Sequence, residues 1–458
     1  MEPNFSPNAL AALRRLNDAG YEAYLVGGCV RDAILGRDPG DCDITTSALP
    51  DRVQAVFAGE RVVATGLKHG TVTVLTDGEP LEITTYRRET GYSDHRHPDA
   101  VRFTGSLRED LARRDFTVNA MAWHPEKGLV DLFGGEEDLR RRLIRCVGRA
   151  EDRFAEDALR ILRALRFSST LGFPLEEATA RAAEAQKDLL AFVSAERIAA
   201  ELTKLLCGGD VLRVVTSYWP ILAVPLPELA AMAGFDQCSR YHCYDVLTHC
   251  AVAAAAVPPE RIVRWAALLH DAGKPACFTR DAEGNGHFYG HAKKSAAIAE
   301  RVLTRLRFDR DAVRRIVTLV ELHDIPIDPP EGDPSRAVKR LLRRLGEEDF
   351  FRLLAVKRGD ALAHAPRYRG RTHACDRIEA LAREILAREQ CFSLRDLAVK
   401  GDDLLALGIP RGPVLGRTLE QLLEAVISGT VPNEREALLA LAREKGQSGA
   451  AGRDEGMN

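Results

Sequence analysis

Two glycines and two aspartates, separated by a short helical segment, are the residues of this sequence best suited to chemistry. Gly27 and Gly28 follow an apolar segment and precede a predicted helix that carries Arg31. Glycines at that position let the backbone approach an anion, and the free N–H groups at a helix start attract phosphate. Asp41 and Asp43 follow on a predicted strand, where residues two apart share one face, and carboxylates there suit divalent cations. Phosphate beside Mg²⁺ indicates phosphoryl chemistry.

A third carboxylate is predicted on a neighbouring strand. Three segments rich in Val and Thr, at 61–64, 70–75 and 80–86, have the composition of strands that extend a sheet beside the two aspartates. In the last segment Leu81 and Ile83 face one way, so Glu82 faces the other way. Glu82 is therefore the candidate third catalytic carboxylate, with a solvent-facing strand residue as the alternative.

The order of these residues resembles that of a known enzyme family. The pattern GGxVRDxxLG followed by DxDI resembles the nucleotidyltransferase motif of the class II CCA-adding enzymes and the bacterial poly(A) polymerases. By this resemblance Asp41 and Asp43 are catalytic and hold two Mg²⁺ ions. One ion would activate an RNA 3′-hydroxyl and the other would bind the leaving pyrophosphate. The residues implied for the triphosphate are Gly27, Gly28, Arg31 and Lys68.

Two later motifs extend the resemblance. The segment RRDFTVNAMA, which starts at Arg113, resembles the family's second motif. The side chains that this implies as contacts of the nucleotide's sugar and phosphates are Arg114, Asp115 and Asn119. The segment AEDALRILRALRF contains EDxxR, which resembles the family's base-reading motif, and it has an apolar stripe of three leucines at helical spacing. The charged residues that recur every three positions on another face are Asp157, Arg160, Arg163 and Arg166.

The chemistry of that charged face fits base selection. A carboxylate accepts a hydrogen bond from the exocyclic amine of cytosine or adenine, and an arginine donates to the neighbouring ring nitrogen, whereas uracil and guanine present the opposite polarity. Asp157 and Arg160 are therefore predicted to admit C and A, with Glu156 orienting them and Arg163 also at the nucleotide. The alternative is a solvated ladder of ion pairs.

The segment 87–102 is polar, charged and without a period, and it predicts a mobile loop over the sheet. In the family a flexible loop at this position matters for adding the terminal A. Its full length here counts against an enzyme that adds only C, because such relatives shorten it.

Composition bounds the remaining possibilities. With 458 residues the chain is long enough for several domains. A net charge of −3 excludes a generally basic nucleic-acid binder, so RNA must be held by a local positive face. The ten cysteines, without a CxxC pair, are predicted to be reduced thiols. The absence of a membrane-length apolar run or a secretory signal predicts a cytoplasmic protein without membrane contact.

Six of the twelve histidines fall between His242 and His323. Their order with two aspartates resembles the HD phosphohydrolase superfamily, whose His and Asp side chains on a helical bundle hold one or two metal ions. The predicted ligands, here called the histidine cluster, are His249, His270, Asp271, His291, His323 and Asp360. Imidazole with carboxylate suits Ni²⁺, Mn²⁺ or Co²⁺ better than Mg²⁺ alone. A second activity on phosphate esters, such as 2′,3′-cyclic phosphates of RNA ends, is the corresponding hypothesis.

The expected fold is of the α+β class, with a small mixed-sheet nucleotidyltransferase head followed by an all-helical neck, an HD body and a tail. The predicted limits are 1–145 for the head, 146–235 for the neck with its base-reading motif, 236–330 for the HD domain with Asp360 from beyond a Pro-rich linker, 331–445 for a tail that contacts RNA, and 446–458 for a disordered end.

The resemblance implies template-independent addition of C, C and A to the 3′ end of tRNA from CTP and ATP, by a monomer or a homodimer. The nearest alternatives share the chemistry: a CC-adding enzyme, an A-adding enzyme or a poly(A) polymerase. An alternative of another class is an HD metal phosphohydrolase or an RNA-binding scaffold with an inactive head. The intact Asp41 and Asp43 count against that interpretation.

Overall fold

The structure, a computed structural model, describes residues 5–91, 100–327, 334–388 and 393–451. At positions 64, 65, 68, 90 and 445–451 only the backbone is described. The chain divides into two compact units. The first consists of Met1–Ala233, Pro259–Arg261 and Arg301–Asp309, and the second of Gly234–Pro258, Ile262–Glu300 and Arg310–Asn458. The finer domain limits at 145, 235, 330 and 445 stay predictions.

A seven-stranded sheet is the centre of the first unit, with strand order β3-β4-β5-β2-β1-β8-β9. The strands of the first unit are β1 (Ala23–Val26), β2 (Asp43–Thr46), β3 (Arg61–Gly66), β4 (Thr71–Thr76), β5 (Glu79–Thr85), β6 (Arg87–Thr90), β7 (Ala100–Phe103), β8 (Met121–His124) and β9 (Gly128–Asp131). The sheet is mixed because β2 and β5 run parallel while the other neighbours run antiparallel. All four residues of β1 are buried, as expected for a central strand.

Helices follow and flank the sheet, which confirms the α+β class. The helices up to residue 232 are α1 (Pro7–Asp18), α2 (Gly28–Ile34), α3 (Pro50–Val56), α4 (Leu107–Ala112), α5 (Gly135–Arg141), α6 (Ala150–Glu156), α7 (Leu159–Leu171), α8 (Glu177–Ala185), α9 (Ala195–Leu206), α10 (Val211–Ser217), α11 (Trp219–Leu222) and α12 (Glu228–Met232). Ser6 caps α1 and Pro7 occupies its first position, so the sequence starts this helix where the free N–H groups need a partner.

The predicted mobile loop at 87–102 is wrong at both ends. Strands β6 and β7 pair antiparallel, with Arg87 opposite Phe103 and Thr90 opposite Ala100. The hairpin lies over Gly70, where an added Cβ would come within 2.6 Å of the Phe103 ring. Strand β6, RRET, is polar and contains the ion pair of Arg87 with Glu89 at 2.8 Å, so it lacks the apolar alternation that predicts a strand, and the four residues of β7 are too few to show one. Residues 92–99 lie outside the described residues.

The rest of the chain is almost entirely helical. Its elements are α13 (Val246–Ala256), α14 (Arg261–Leu269), α15 (Lys274–Cys277), β10 (Thr279–Arg280), β11 (Gly286–His287), α16 (His291–Arg305), α17 (Arg310–Leu322), α18 (Pro334–Ala363), α19 (Arg371–Ala387), α20 (Gly401–Ala406), α21 (Pro413–Ile427) and α22 (Arg435–Ala451). The short strands β10 and β11 form a two-stranded ribbon.

Two glycines of the second unit mark close approaches between elements. A Cβ at Gly359 of α18 would lie 2.6 Å from Val257 Cγ1 and 2.8 Å from the Ala253 carbonyl oxygen of α13. A Cβ at Gly273 would lie 2.6 Å from the backbone nitrogen of Ser295 in α16. Because a larger residue would push these helices apart, the glycines set how closely α18 and α16 approach their neighbours.

The C-terminal part has apolar cores of its own. Phe350 and Leu342 of α18 pack with Ile378 of α19 in one cluster, and α20, α21 and α22 contribute to another. Helix α22 continues to Ala451, so the predicted disorder is wrong for residues 446–451, although Gly446 and Gly449 are weak helix formers and gave no sign of this extension in the sequence. Residues 452–458 and most of the predicted Pro-rich linker lie outside the described residues. No helix in the described ranges is long and apolar enough to span a membrane.

Candidate active site and histidine cluster

The acidic residues of the first unit lie where β1, β2 and β5 meet. Asp43 opens β2 opposite Val26. Because β2 and β5 pair with Ile44 opposite Ile83, Glu82 lies on the same face of the sheet as Asp43. Asp41 is not on the strand as predicted, since β1 ends at Val26 and leaves the residues before Asp43 without a pairing partner. Within the described ranges the three carboxylates are not gathered within 4.8 Å as a set.

Asp43 lies in surroundings that disfavour its negative charge. Burial raises the pKa of Asp43 to about 6; Arg114 opposes this rise, and the carboxylates of Glu82 and Asp41 add to it. Gly27 has a φ of +83°, and a Cβ there would lie 3.3 Å from Arg114 Nη1 and 3.9 Å from Asp43 Oδ2. A divalent cation fits this site because it would stabilise the ionised form of Asp43, which burial disfavours.

Arg114 is held by a buried carboxylate that the sequence did not reveal. Asp110 is fully buried, and it accepts hydrogen bonds from Thr45 Oγ1 at 3.0 Å, from Arg113 Nη2 at 2.7 Å and from Arg114 Nη2 at 3.5 Å. Burial works to raise the pKa of Asp110, but Arg113 and Arg114 outweigh it and the pKa is lowered. Arg114 Nε is buried without a hydrogen-bond partner, so this donor is available to an anionic ligand such as phosphate.

The other predicted sugar and phosphate ligands form one hydrogen-bonded chain. Arg31 Nη1 donates to Asn119 Oδ1 at 2.6 Å, and its Nε and Nη2 donate to Asp32. Asn119 Nδ2 donates to Asp115 Oδ1 at 3.3 Å, and Asp115 Oδ2 accepts from Arg163 Nε at 2.7 Å. Burial works to raise the pKa of Asp115, but Arg163 outweighs it and lowers the pKa. The side chain of Lys68 is outside the described set.

The EDxxR motif does not lie on one continuous helix, as its three-residue period had predicted. Glu156 is the last residue of α6, and Asp157 follows in an extended conformation. Asp157 Oδ1 accepts a hydrogen bond from the backbone nitrogen of Leu159, at the start of α7. A short acidic side chain of this kind favours helix ends over helix interiors, and this explains the break.

The base-reading candidates are each held by a partner. Arg160 Nη1 donates to Glu156 Oε2 at 2.5 Å, so Glu156 orients Arg160. Arg160 Nη2 donates to the Arg113 carbonyl oxygen at 3.0 Å, and so α7 is bonded to the RRDF motif. Asp157 Oδ2 accepts from Arg197 Nη2 at 2.8 Å, a partner on α9 that the sequence reasoning left without a role.

The residues of the histidine cluster lie together in the second unit as two overlapping groups. In each group the potential ligand atoms lie within 4.8 Å of one another: His249, His270, Asp271 and Asp360 form one, and Asp271, His291 and His323 form the other. His249 Nε2 is 3.0 Å from Asp360 Oδ1. Asp271 Oδ2 is 3.3 Å from His270 Nε2, whereas Asp271 Oδ1 is 3.3 Å from His291 Nε2. Asp271 therefore contributes one oxygen to each group.

All four imidazoles are anchored by their Nδ1 atoms to backbone carbonyl oxygens. The pairs are His270 with Ala267 at 2.8 Å, His291 with Phe288 at 2.8 Å, His323 with Val320 at 2.7 Å and His249 with Ala363 at 3.3 Å. Because a carbonyl only accepts, the proton of each neutral ring is on Nδ1, and the Nε2 lone pair faces the carboxylates. Metal-bound histidines in proteins are oriented in this way.

This arrangement needs positive charge at its centre. His249 Nε2 lies 3.3 Å from His270 Nε2, and His291 Nε2 lies 3.3 Å from His323 Nε2, so lone pairs face each other. Burial works to lower the pKa of His270, but Asp271 outweighs it and the pKa rises well above its ordinary value. Asp271 Oδ1 is buried without a hydrogen-bond partner. The donor set of imidazole and carboxylate therefore fits transition-metal ions.

Sequence reasoning missed several residues around the cluster. Lys274 is buried, with its Nζ 2.6 Å from Asp271 Oδ2, 2.7 Å from Gln237 Oε1 and 3.1 Å from His242 Nε2. His364 donates from Nδ1 to the Asp360 carbonyl oxygen at 2.8 Å. The spacing of four between Asp360 and His364 on a predicted helix was a usable signal, whereas Gln237 and His242 lie in an irregular segment.

Comparison with known families agrees with the geometry. The model described as the poly A polymerase head domain matches residues 23–145, the one described as a probable RNA and SrmB-binding site of polymerase A matches 172–232, and the one described as tRNA nucleotidyltransferase domain 2, putative, matches 287–442.

Full-length relatives are also similar. The CCA-adding enzyme of Bacillus velezensis is 36% identical, covering 95% of this chain and 97% of the relative, and that of Geobacillus kaustophilus is 36% identical, covering 98% and 99%. The crystal structure of the Bacillus stearothermophilus CCA-adding enzyme in complex with CTP superposes with a TM-score of 0.73 at 33% identity, covering 98% of this chain and 100% of that one. The chain belongs to the family of CCA-adding enzymes, and it is a nucleotidyltransferase.

Proposed function

We propose that the protein adds C, C and A to the 3′ end of tRNA, using CTP and ATP with Mg²⁺. The observation that carries this proposal is a hydrogen bond between the proposed base-reading motif and the proposed catalytic region. Arg160 donates to the carbonyl oxygen of Arg113 in the RRDF motif, and the next residue, Arg114, lies with Asp43 beside Gly27. The catalytic carboxylates and the base-selecting side chains are thus parts of one unit. The cytoplasmic location, and the choice between monomer and homodimer, stay predictions.

In the proposed reaction the RNA 3′-oxygen attacks the α-phosphorus of the nucleotide, the bond from that phosphorus to the bridging oxygen breaks, and pyrophosphate leaves. Asp41 and Asp43 would hold Mg²⁺, which supplies charge neutralisation and lowers the pKa of the attacking hydroxyl. Arg114 donates to the phosphates from its unpaired Nε. Asp157 accepts from the base's exocyclic amine, and Arg160 donates to the neighbouring ring nitrogen.

The test uses tRNA transcripts that end before CCA, after C and after CC, with each nucleotide supplied separately. The expected products are CTP addition to the first two transcripts and ATP addition to the third, without UTP or GTP incorporation. ATP addition to the third transcript alone would indicate an A-adding enzyme, and CTP addition alone a CC-adding enzyme. Repeated ATP addition to every transcript would indicate a poly(A) polymerase.

Variants connect that activity to the carboxylates. Asp43→Ala and Asp41→Ala should abolish addition and still bind tRNA, because each removes a metal ligand rather than a core contact. Glu82→Gln should be less severe. Asp152→Ala, at an exposed aspartate of α6, is the matched control and should add nucleotides normally. Near-normal addition by Asp43→Ala would contradict the metal assignment.

We also propose that the histidine cluster is a second, metal-dependent site that hydrolyses phosphate esters. The supporting observation is the set of four imidazole Nε2 atoms directed at Asp271 and Asp360, with both Asp271 oxygens used. Ni²⁺, Mn²⁺ or Co²⁺, when bound, would supply Lewis acidity toward a phosphoryl oxygen. A water oxygen would add to phosphorus and the ester P–O bond would break. The leaving oxygen would take a proton from the neighbouring Lys274 ammonium, and the proton released by the attacking water would restore that ammonium.

The two sites should be separable. The double variant His270→Ala with Asp271→Ala should lose tightly bound metal and metal-dependent hydrolysis of adenosine 2′,3′-cyclic phosphate, while CCA addition continues. Elemental analysis and a hydrolysis assay on the full-length protein check both points. Failure of the wild-type protein to retain metal, together with an absence of hydrolysis in Ni²⁺, Mn²⁺ and Co²⁺, would show that the cluster is structural. If the wild-type protein hydrolyses the cyclic phosphate but does not add nucleotides to tRNA, the result would instead favour a phosphohydrolase with an inactive head.

A further inference from the structure

A cavity of about 620 Å³ lies directly over the histidine cluster. Its floor includes Asp271, His291 and Asp360, and its lining also carries aromatic rings and guanidinium groups. We infer that Tyr289, stacked with His287, is a platform on which the nucleobase of the substrate stacks, so that the site takes nucleotide esters in preference to phosphate esters without a base. This inference rests on the hydrolytic site proposed above and adds the residue that sets its specificity.

Tyr289 is built for this role by its surroundings. It is 80% exposed, which is unusual for so large a ring, and it lines the cavity. Its ring is parallel to that of His287 within 4°, with the ring centroids 5.5 Å apart. His287 is itself fixed, because its Nε2 lies 2.8 Å from Asp281 Oδ2. The segment that follows β11 therefore presents an exposed aromatic ring, which is oriented by its stack with His287.

The platform is close to the reaction centre. Tyr289 precedes His291 by two residues, and two residues span at most about 7 Å of chain. The His291 ring is fixed in turn by its bond to the Phe288 carbonyl oxygen. The backbone of Tyr289 thus lies close to a ligand of the cluster and its ring lines the same cavity, so a base attached to a phosphate ester held at the cluster can extend toward that ring.

Two arginines in the lining of the cavity suit the charge of such a ligand. Arg371 and Arg240 both line it and are exposed, and Arg240 lies over the Tyr241 ring at 5.1 Å. Guanidinium groups bind phosphate oxygens and stack on bases. An ester without a base would use the cluster and these arginines but would leave Tyr289 in water. Aromatic stacking is the interaction that distinguishes the two kinds of ester, and it tolerates any base.

The test compares two esters that differ only by the base, adenosine 2′,3′-cyclic phosphate and methyl β-D-ribofuranoside 2,3-cyclic phosphate, with full-length protein in Mn²⁺. Tyr289→Ala should raise KM for the nucleotide about tenfold with kcat nearly unchanged, because one base–aromatic stack is lost. Hydrolysis of the base-free ester should not change. Tyr289→Phe should behave as the wild type on both esters. Phe192→Ala, at an exposed ring outside this cavity, is the matched control.

Equal effects of Tyr289→Ala on both esters, or no effect on the nucleotide, would overturn the platform. If neither ester is hydrolysed by the wild type, the proposed hydrolysis fails, and equilibrium dialysis of the cyclic nucleotide with Mn²⁺ then decides the platform separately. Weaker binding by Tyr289→Ala than by Tyr289→Phe would support it, since both variants leave the first unit unchanged. Equal binding by the two variants would contradict it.

Discussion

Asp157 accepts a hydrogen bond from Arg197 across 2.8 Å, joining the residue after α6 to helix α9. Asp157 lies just beyond the end of α6, so helical geometry does not fix the direction of its side chain. Arg197 and the backbone N–H of Leu159 hold the side chain instead. In the proposed function Arg197 is therefore a positioning residue for base choice, acting through Asp157.

Replacing Arg197 by alanine should relax nucleotide selection more than it slows CTP addition. The carboxylate would lose its charge-assisted partner and could turn away from the exocyclic amine. We expect the ratio of kcat/KM for CTP to that for UTP to fall about tenfold, approaching the ratio of Arg160→Ala. Arg181→Ala, which breaks the exposed ion pair with Glu177, is the control and should leave the ratio unchanged. If both Arg197→Ala and Arg160→Ala discriminate between CTP and UTP as the wild type does, the charged residues around Asp157 and Arg160 form ion pairs only and do not select the base.

Asp43→Asn should inactivate the enzyme and stabilise the fold in Mg²⁺-free buffer. The pKa of Asp43 is about 6 when folded and about 3.9 in an unfolded chain, so ionisation above pH 6 favours unfolding. The amide of asparagine does not ionise, so the variant avoids the cost of a buried charge. At pH 8 the free energy of unfolding of Asp43→Asn should exceed that of the wild type by on the order of 1–3 kcal/mol.

The sign of that effect can be checked by pH. Below about pH 3 the carboxyl group is mostly protonated in both states, so the stability advantage of the Asp43→Asn variant over the wild type should vanish there. Urea unfolding at pH 8 and at about pH 3 measures both differences, with Asp152→Asn as the exposed control. A wild type more stable than Asp43→Asn at pH 8 without Mg²⁺ would show that Arg114 already compensates the charge.

Gly359→Ala should weaken metal retention at the histidine cluster. The added methyl group would meet Val257 Cγ1 at 2.6 Å and the Ala253 carbonyl oxygen at 2.8 Å, and would push α18, with Asp360, away from His249 on α13. Overpacking of this kind costs about 1–3 kcal/mol of stability. Gly370→Ala is the matched control, because nothing lies within 4 Å of its Cβ position. Metal content after dialysis and thermal unfolding report the two effects, and identical metal content in both variants would contradict the argument.

The head was predictable because its signals are local. The Gly27–Gly28 turn, the apolar strand before it and the alternation of β5 each follow from a few neighbouring residues. The prediction that Asp41 lies on the strand was wrong, because β2 begins only at Asp43, where β1 provides its last pairing partner. The end of β1 depends on residues outside the acidic segment.

Other features depend on contacts between distant segments and left no periodic trace. Asp110 has an ordinary position in a helical turn, yet it is buried against Thr45 of β2. The partnership of Arg197 with Asp157 joins residues 40 apart. In the histidine cluster the order of residues resembled a known superfamily, whereas the roles of Gln237 and His242 depend on an irregular segment that carries no pattern.

The anchoring of the four imidazoles has a consequence for ion choice. Each ring is already held by a backbone carbonyl, three of them by the carbonyl of the residue three positions earlier in the chain. Ordering a free side chain costs about 0.5–1.5 kcal/mol, and here that entropy is lost when the chain folds rather than when an ion arrives. In the proposed metal site, rings that are already fixed should adjust little to a bound ion, so ionic radius and preferred coordination geometry should decide which cation is retained.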